Sequence, residues 1–356
     1  MATQTDKNKI CVVLDTNIWL QHRLLYDPLG RSLLHRLEEI NGLIALPEIV
    51  EREVRKGIKK RTEEEITKFK NSFAAIRQFL GLAPADPAQA FDSEKTSHGL
   101  GLKDFIQSFE ARLQNLGGMM IQVPFSHAHA IAALSQVMED LPPSGKNEEQ
   151  FRDCAIWQSL LELGASYSIH FISNDSNFFK DPKSRKELAD NLNNDCDRNK
   201  VDIAIHRELD SFLDWFPDTG RLEKPLKPLI QEFVKREALN KASQYGLKLG
   251  NLSRSTEHYY PTDDVGIFAV QFNYEYVIPE EFEINGKPIP SGTLSLSGSF
   301  SWDAKAKKPM DFGDHEYKIY GPGDSPELVE QGSVVLVTSA IITPLYSFLP
   351  PVRISE

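Results

Sequence analysis

Four carboxylates set among hydroxyl and amide side chains are the residues of this chain best suited to chemistry. Asp15 stands in Asp15-Thr16-Asn17, directly after the apolar run Ile10 to Leu14. Asp175 stands in Ser173-Asn174-Asp175-Ser176-Asn177, directly after Ser168 to Ile172. An apolar strand that stops at a carboxylate, a hydroxyl and an amide is what a buried strand of an open α/β sheet delivers at its carboxyl edge, where such folds hold ligands. Two acids on expected helices extend the set, Glu53 and Asp153. Glu53 is preferred to its neighbour Glu51 because Val50, three residues earlier, should pack inward. One carboxylate alone holds Mg²⁺ or Mn²⁺ poorly, whereas several at one edge can hold such an ion and let it activate water. His127 and His129 lie two apart on a helix, so they face different ways and are read as structural or surface residues.

The elements that must position these acids follow from apolar spacing. Arg31 to Ile40 reads as an amphipathic helix closed by Asn41-Gly42, Leu43 to Leu46 as a short buried strand, and Pro47 as the opening residue of a helix reaching about Leu80. Residues 81–102 lack a clear period and read as a long surface loop. Beyond it come a helix from Lys103 to Leu116, a strand from Met119 to Val123 and a helix from Ser126, its cap, to Asp140. A further helix from Glu148 to Leu163, ended by Gly164, carries Asp153 one turn in. Strand Ser168 to Ile172, helix Ser184 to Asn194, strand Val201 to Ile205 and helix Arg207 to Trp215 complete an α/β domain over residues 1–220. Residues 221–251 read as a linker and a helix, from about Leu229 to Tyr245. Residues 252–356 read as a β-rich sandwich or partial barrel, with strands at Val265 to Ile278, Thr293 to Trp302, His315 to Tyr320 and Ser333 to Phe348.

Composition narrows the classes. The chain has 356 residues, 40% hydrophobic and 26% charged, and no apolar run near the roughly 18 residues a membrane helix needs. Met1 to Lys9 is polar without an apolar signal region, so a cytoplasmic location is expected and no membrane partner. Cys11, Cys154 and Cys196 lack CxxC spacing, which argues against a disulfide framework or a structural zinc site. Net charge is −11, with 26 basic and 33 acidic side chains in residues 1–220 and 14 and 18 in residues 221–356. Any nucleic acid must therefore meet a local patch and not the average field. Arg52, Lys56 and Lys59 or Lys60 share a helix face and form the candidate patch, although a solvated face is the ordinary reading of such a run.

Together Asp15-Thr16-Asn17, Glu53, Asp153 and Ser173-Asn174-Asp175 resemble the PIN domain family of metal-dependent nucleases. Leu46-Pro47-Glu48-Ile49-Val50-Glu51-Arg52-Glu53-Val54 resembles that family's second-strand-to-helix element, Arg152-Asp153-Cys154-Ala155-Ile156-Trp157 its later helix, and Phe171 to Phe179 its S/T-x-D strand end. The resemblance covers about residues 8–216. It implies a Rossmann-like central parallel sheet with helices on both faces, followed here by a small all-β domain outside the resemblance. It also implies that Asp15, Glu53, Asp153 and Asp175 hold one or two Mg²⁺ or Mn²⁺ ions and catalyse phosphodiester hydrolysis. Thr16, Asn17, Ser173 and Asn177 would orient the acids or touch substrate, and Arg52, Lys56 and Lys59 would clamp phosphates. Trp19, Phe178 and Phe179 are more often core than base platforms. The expected activity is an endoribonuclease on single-stranded or structured RNA, as a toxin-like or defence effector. The alternatives are a DNA or flap nuclease, or a non-catalytic scaffold binding RNA or protein. The β domain is a candidate for substrate recognition, homo-oligomer contacts or a regulatory protein.

Overall fold

In a computed structural model, residues 9–79, 102–144, 150–216, 226–284, 286–323 and 327–333 are described. Contacts divide the chain into two compact units that do not follow chain order: Met1–Leu20 with Gly42–Arg207, and Gln21–Asn41 with Glu208–Glu356.

The first unit is built on a parallel five-stranded sheet, β3 (Met120–Val123), β2 (Leu43–Pro47), β1 (Ile10–Leu14), β4 (Ser168–Ile172) and β5 (Ile203–His206) in spatial order. The central strands β1, β2 and β4 bury nearly every successive residue, the pattern of a parallel sheet covered on both faces. Its helices are α1 (Thr16–Gln21), α3 (Glu48–Phe79), α4 (Leu102–Leu116), α5 (His127–Met138), α6 (Phe151–Gly164) and α7 (Asp190–Asn199); α2 (Pro28–Glu39) belongs to the second unit. The expected Rossmann-like parallel sheet is therefore present.

Several boundaries differ from expectation. Pro47 ends β2 opposite Val123 instead of opening α3, a position where its missing N–H costs the ladder little. Helix α6 starts at Phe151 because Gln150, the cap, is non-helical, so Asp153 sits in the first turn. Ser184 to Ala189 is not helical. Asp181 accepts the N–H groups of Lys183 and Ser184, and Phe179 bridges Leu188, so local side-chain and strand-like bonds hold this stretch. Helix α7 then runs to Asn199 and is closed by left-handed Lys200. Ser126 caps α5 as expected, and His127 is exposed while His129 is buried against Glu162. Of the expected loop over 81–102, only Leu102 lies among the described residues, and it opens α4.

The second unit centres on a five-stranded antiparallel sheet in the order β12 (Leu328–Ser333), β11 (Lys308–Tyr320), β10 (Gly292–Asp303), β7 (Ile267–Ile278), β6 (Leu252–Pro261). A small hairpin, β8 (Phe282–Ile284) with β9 (Lys287–Ile289), accompanies it. The expected β-rich C-terminal region is therefore present, and among the described residues a helix packs on its large sheet. Ile230, Phe233, Val234 and Ala238 form the apolar stripe of α8 (Lys227–Gln244) and share a core with Val270, Phe272, Tyr274, Leu294, Leu296 and Phe300. The sheet residues of opposite parity, Ala269, Ser299 and Ser301, are also buried. Helix α2 packs on β6, β7, β10 and β11. Arg31 in α2 pairs with Asp263 (2.9 Å), Asp264 and Asp311 (3.4 Å). Strand β6 escaped the sequence reading because it is an edge strand whose first residues are exposed and polar. The expected strand Ser333 to Phe348 lies outside the described residues beyond Ser333.

Candidate active site

The acids reach the carboxyl edge of the parallel sheet from different elements. Asp15 follows β1, and its N–H donates to the Ile172 carbonyl at 2.9 Å, joining the ends of β1 and β4. Its carboxylate is buried: Oδ1 accepts from the Thr16 N–H at 2.6 Å and Oδ2 from Ser173 Oγ at 2.7 Å. Ser173 Oγ in turn accepts the Asp175 N–H at 3.1 Å. One buried hydroxyl thus links the two strand-end motifs. Asp175 Oδ1 accepts the Asn177 N–H at 2.9 Å and caps a short turn, Ser176–Phe178, while Asn177 Nδ2 donates to Gln150 Oε1 at 2.7 Å.

Glu53 lies in the second turn of α3. Its Oε2 accepts from Thr16 Oγ1 at 2.9 Å and its Oε1 pairs with Arg152. Glu51 instead pairs with Arg55 at 2.9 Å, and Arg55 also reaches Glu110. Asp153, in the first turn of α6, is pushed up to about 7, chiefly by burial and then by repulsion from Asp175, Asp15 and Glu53, with Arg152 opposing. Burial likewise pushes Asp15 up to about 6 against the bonds from Ser173 and Thr16, with Asp175 and Glu53 adding to the rise. Asp153 therefore feels the other three acids, and its repulsion from them is what a divalent cation would relieve.

The donor set is all oxygen and strongly negative, which suits a hard ion such as Mg²⁺ or Mn²⁺. Among the described residues, however, no group of three or more His, Cys, Asp or Glu side chains is drawn close enough to enclose one. The hydrogen bonds explain part of that spacing: Glu53 is held by Thr16 and Arg152, and both Asp15 oxygens already accept bonds. The chemistry of the set fits a divalent ion, and Arg152 stands beside Glu53 as its present counter-charge.

Among the remaining candidates, Asn17 Nδ2 donates to Asn174 Oδ1 at 3.1 Å. Arg52 pairs with Glu48 at 2.5 Å, and Lys56 and Lys59 are exposed on α3. Trp19, Phe178 and Phe179 are buried and belong to the core. Burial pushes the Cys11 thiol up to about 12 and those of Cys154 and Cys196 to about 11, so none is a ready nucleophile. Sequence reasoning overlooked Arg152, although it precedes Asp153 in the chain, and Glu48, whose Oε2 accepts the Phe125 N–H at 2.9 Å. It also overlooked Arg185, whose Nη1 donates to the Asn174 carbonyl at 2.7 Å. No local pattern marks Arg185, because it acts from a loop that periodicity reads as helix.

The PIN domain family model matches residues 12–179, a span that includes all four acids. No curated protein matches the chain. PIN domains are generally nucleases that use divalent metal ions. Parallel sheet, strand-end motifs and family match agree: residues 12–179 of this chain are a match to the PIN domain family.

Proposed function

We propose that this protein is a metal-dependent endoribonuclease that hydrolyses phosphodiester bonds through Asp15, Glu53, Asp153 and Asp175. The observation that carries this reading is the gathering of acids at one sheet edge: the Ser173 hydroxyl joins Asp15 to Asp175, Thr16 next to Asp15 holds Glu53, and Asp153 lies in the first turn of α6. Asp15, Asp153 and Asp175, with Glu53 directly or through water, would hold Mg²⁺ or Mn²⁺. Such an ion lowers the pKa of a bound water and offsets charge on the phosphoryl oxygens. The chain's own groups prepare that chemistry. Ser173 fixes the rotamer of Asp15 and the backbone of Asp175, and Thr16 holds Glu53. Asn17 and Asn177 are poised to orient the edge or meet substrate. Arg52, Lys56 and Lys59 form a cationic stretch of α3 for phosphate contacts, a local patch on an acidic chain.

The test is cleavage of end-labelled single-stranded RNA and DNA of matched sequence in Mn²⁺, Mg²⁺ or EDTA, with wild type beside Asp15→Asn and Asp175→Asn. We expect metal-dependent cutting of RNA that each substitution lowers on the order of 100-fold or more. Cutting of DNA alone would make the protein a deoxyribonuclease. If neither polymer is cut, or the variants cut as well as wild type, the domain is a non-catalytic scaffold.

A further inference from the structure

Two arginines stand beside the acids, each tied down by part of its guanidinium. Arg152 pairs through Nη1 with Glu53 Oε1, and its side chain is 64% exposed. Arg185 reaches the other strand-end motif. Its Nη1 donates to the Asn174 carbonyl at 2.7 Å, one residue before Asp175, and its Nε donates to the Pro182 carbonyl at 3.0 Å. A guanidinium carries five N–H donors in a fixed fork, so both arginines keep donors beyond these anchors. Among the described residues those remaining donors have no hydrogen-bond partner.

The turn that carries Arg185 is held in place on several sides. Arg185 has a φ of 48°, a left-handed backbone that long side chains rarely adopt, and its N–H closes the turn on the Asp181 carbonyl at 2.9 Å. The Asp181 carboxylate accepts the N–H groups of Lys183 and Ser184 within the same turn. Charge adds a second argument. In a chain of net charge −11, residues 180–186 set Lys180, Lys183, Arg185 and Lys186 against Asp181 alone. Lys180 pairs with Asp190 at 2.8 Å, whereas Lys183 and Lys186 are exposed. A cationic turn just past the fourth acid draws a polyanion toward that edge.

We propose that a single RNA strand crosses the acidic edge between these arginines, with one backbone phosphate on Arg152 and another on Arg185. Arg152 holds the strand on the side of Glu53 and Asp153, and Arg185 on the side of Asn174 and Asp175. Their anchors fix both guanidinium groups in advance, so little side-chain freedom is lost when phosphate arrives. The substrate class rests on the nuclease reading of the acids; the two-point grip does not, and it makes any cut internal to the strand.

Anisotropy of a fluorescein-labelled ten-nucleotide RNA, titrated with the full chain in EDTA over a range of KCl, reads the grip without cutting. For a single strand, each lost phosphate contact flattens the slope of log K against log salt by about 0.7. We expect Arg152→Ala and Arg185→Ala each to flatten it by about that amount and the double variant by about twice as much, while Arg152→Lys and Arg185→Lys keep it. Arg198→Ala removes an exposed cation at the far end of α7 and should leave the slope unchanged. In Mn²⁺, a dinucleotide, whose one phosphate cannot meet both arginines, should be cut at least about tenfold less efficiently than the longer RNA. A wild-type slope in both alanine variants, equal flattening in Arg198→Ala, no recovery in the lysine variants, or equal cutting of the dinucleotide would each overturn the grip and leave the nuclease reading standing. Wild type that binds no RNA overturns the grip as well. If wild type binds with the expected slopes but cuts no polymer, the nuclease reading fails and the two phosphate contacts stand.

Discussion

Ser173 shows how much can rest on one side chain. Its hydroxyl donates to Asp15 and accepts from the backbone of Asp175, and the residue has no exposed surface. Ser173→Ala leaves a buried carboxylate oxygen and an N–H without their partner, which should cost about 1–3 kcal/mol. Urea unfolding would measure it, and a loss below about 0.5 kcal/mol would mean that water replaces the hydroxyl. His170, in β4, is a second case. Its Nδ1 lies 2.9 Å from His206 Nε2, the rings stack, and burial lowers its pKa from 6.5 to about 4. Between those values the unfolded chain binds a proton that the folded chain refuses, so stability falls as pH drops from about 6.5 toward 4. The contribution is on the order of 3 kcal/mol and is fully present above pH 6.5. His170→Phe should flatten that part of the pH–stability curve. Parallel curves for the two proteins would rule the residue out as its source.

At the scale of elements, Gly164 is more than a helix terminator. It remains inside α6, where an added Cβ would come within 2.7 Å of Val201 Cβ, so the helix and the chain entering β5 approach through the missing side chain. Alanine is the better helix former by roughly 1 kcal/mol. The neighbour it meets is β-branched and stiff, so Gly164→Ala should still lower stability, by about 1–3 kcal/mol after the helix gain. A melting temperature equal to wild type or higher would show that Val201 gives way. Helix α2 teaches a related lesson. Its sequence pattern is that of a crossover helix between β1 and β2, yet Leu29, Leu33 and Leu37 are buried within the second unit and Arg31 pairs with aspartates near its strands.

For the whole molecule, that placement means the connection from β1 to β2 passes through the second unit. A fragment ending at His206 should therefore lose the elements that cover α2 even though it keeps every strand of the parallel sheet. We expect it to expose the apolar face of α2, to bind a hydrophobic dye and to elute as aggregates, while the full chain does not. A monodisperse fragment with a cooperative melt would show that α2 finds another cover. Among the described residues no helix is long and apolar enough to cross a membrane.

The strands of the parallel sheet, the two strand-end acid motifs and the long helix carrying Glu53 were legible in the sequence because each is encoded locally, by apolar runs, 3.6-residue spacing and the polar residues that stop a strand. The inward face of α3 was legible for the same reason, since Val50 and Val54 are buried. What only the tertiary structure decided are matters of partnership. Arg152 opposite Glu53, Ser173 between two acids, His170 against His206 and α2 among the strands of the C-terminal sheet join residues far apart in the chain. A helix's apolar stripe states that it must be covered, not by what, and a carboxylate's neighbours in sequence do not reveal the charge that burial will set beside it.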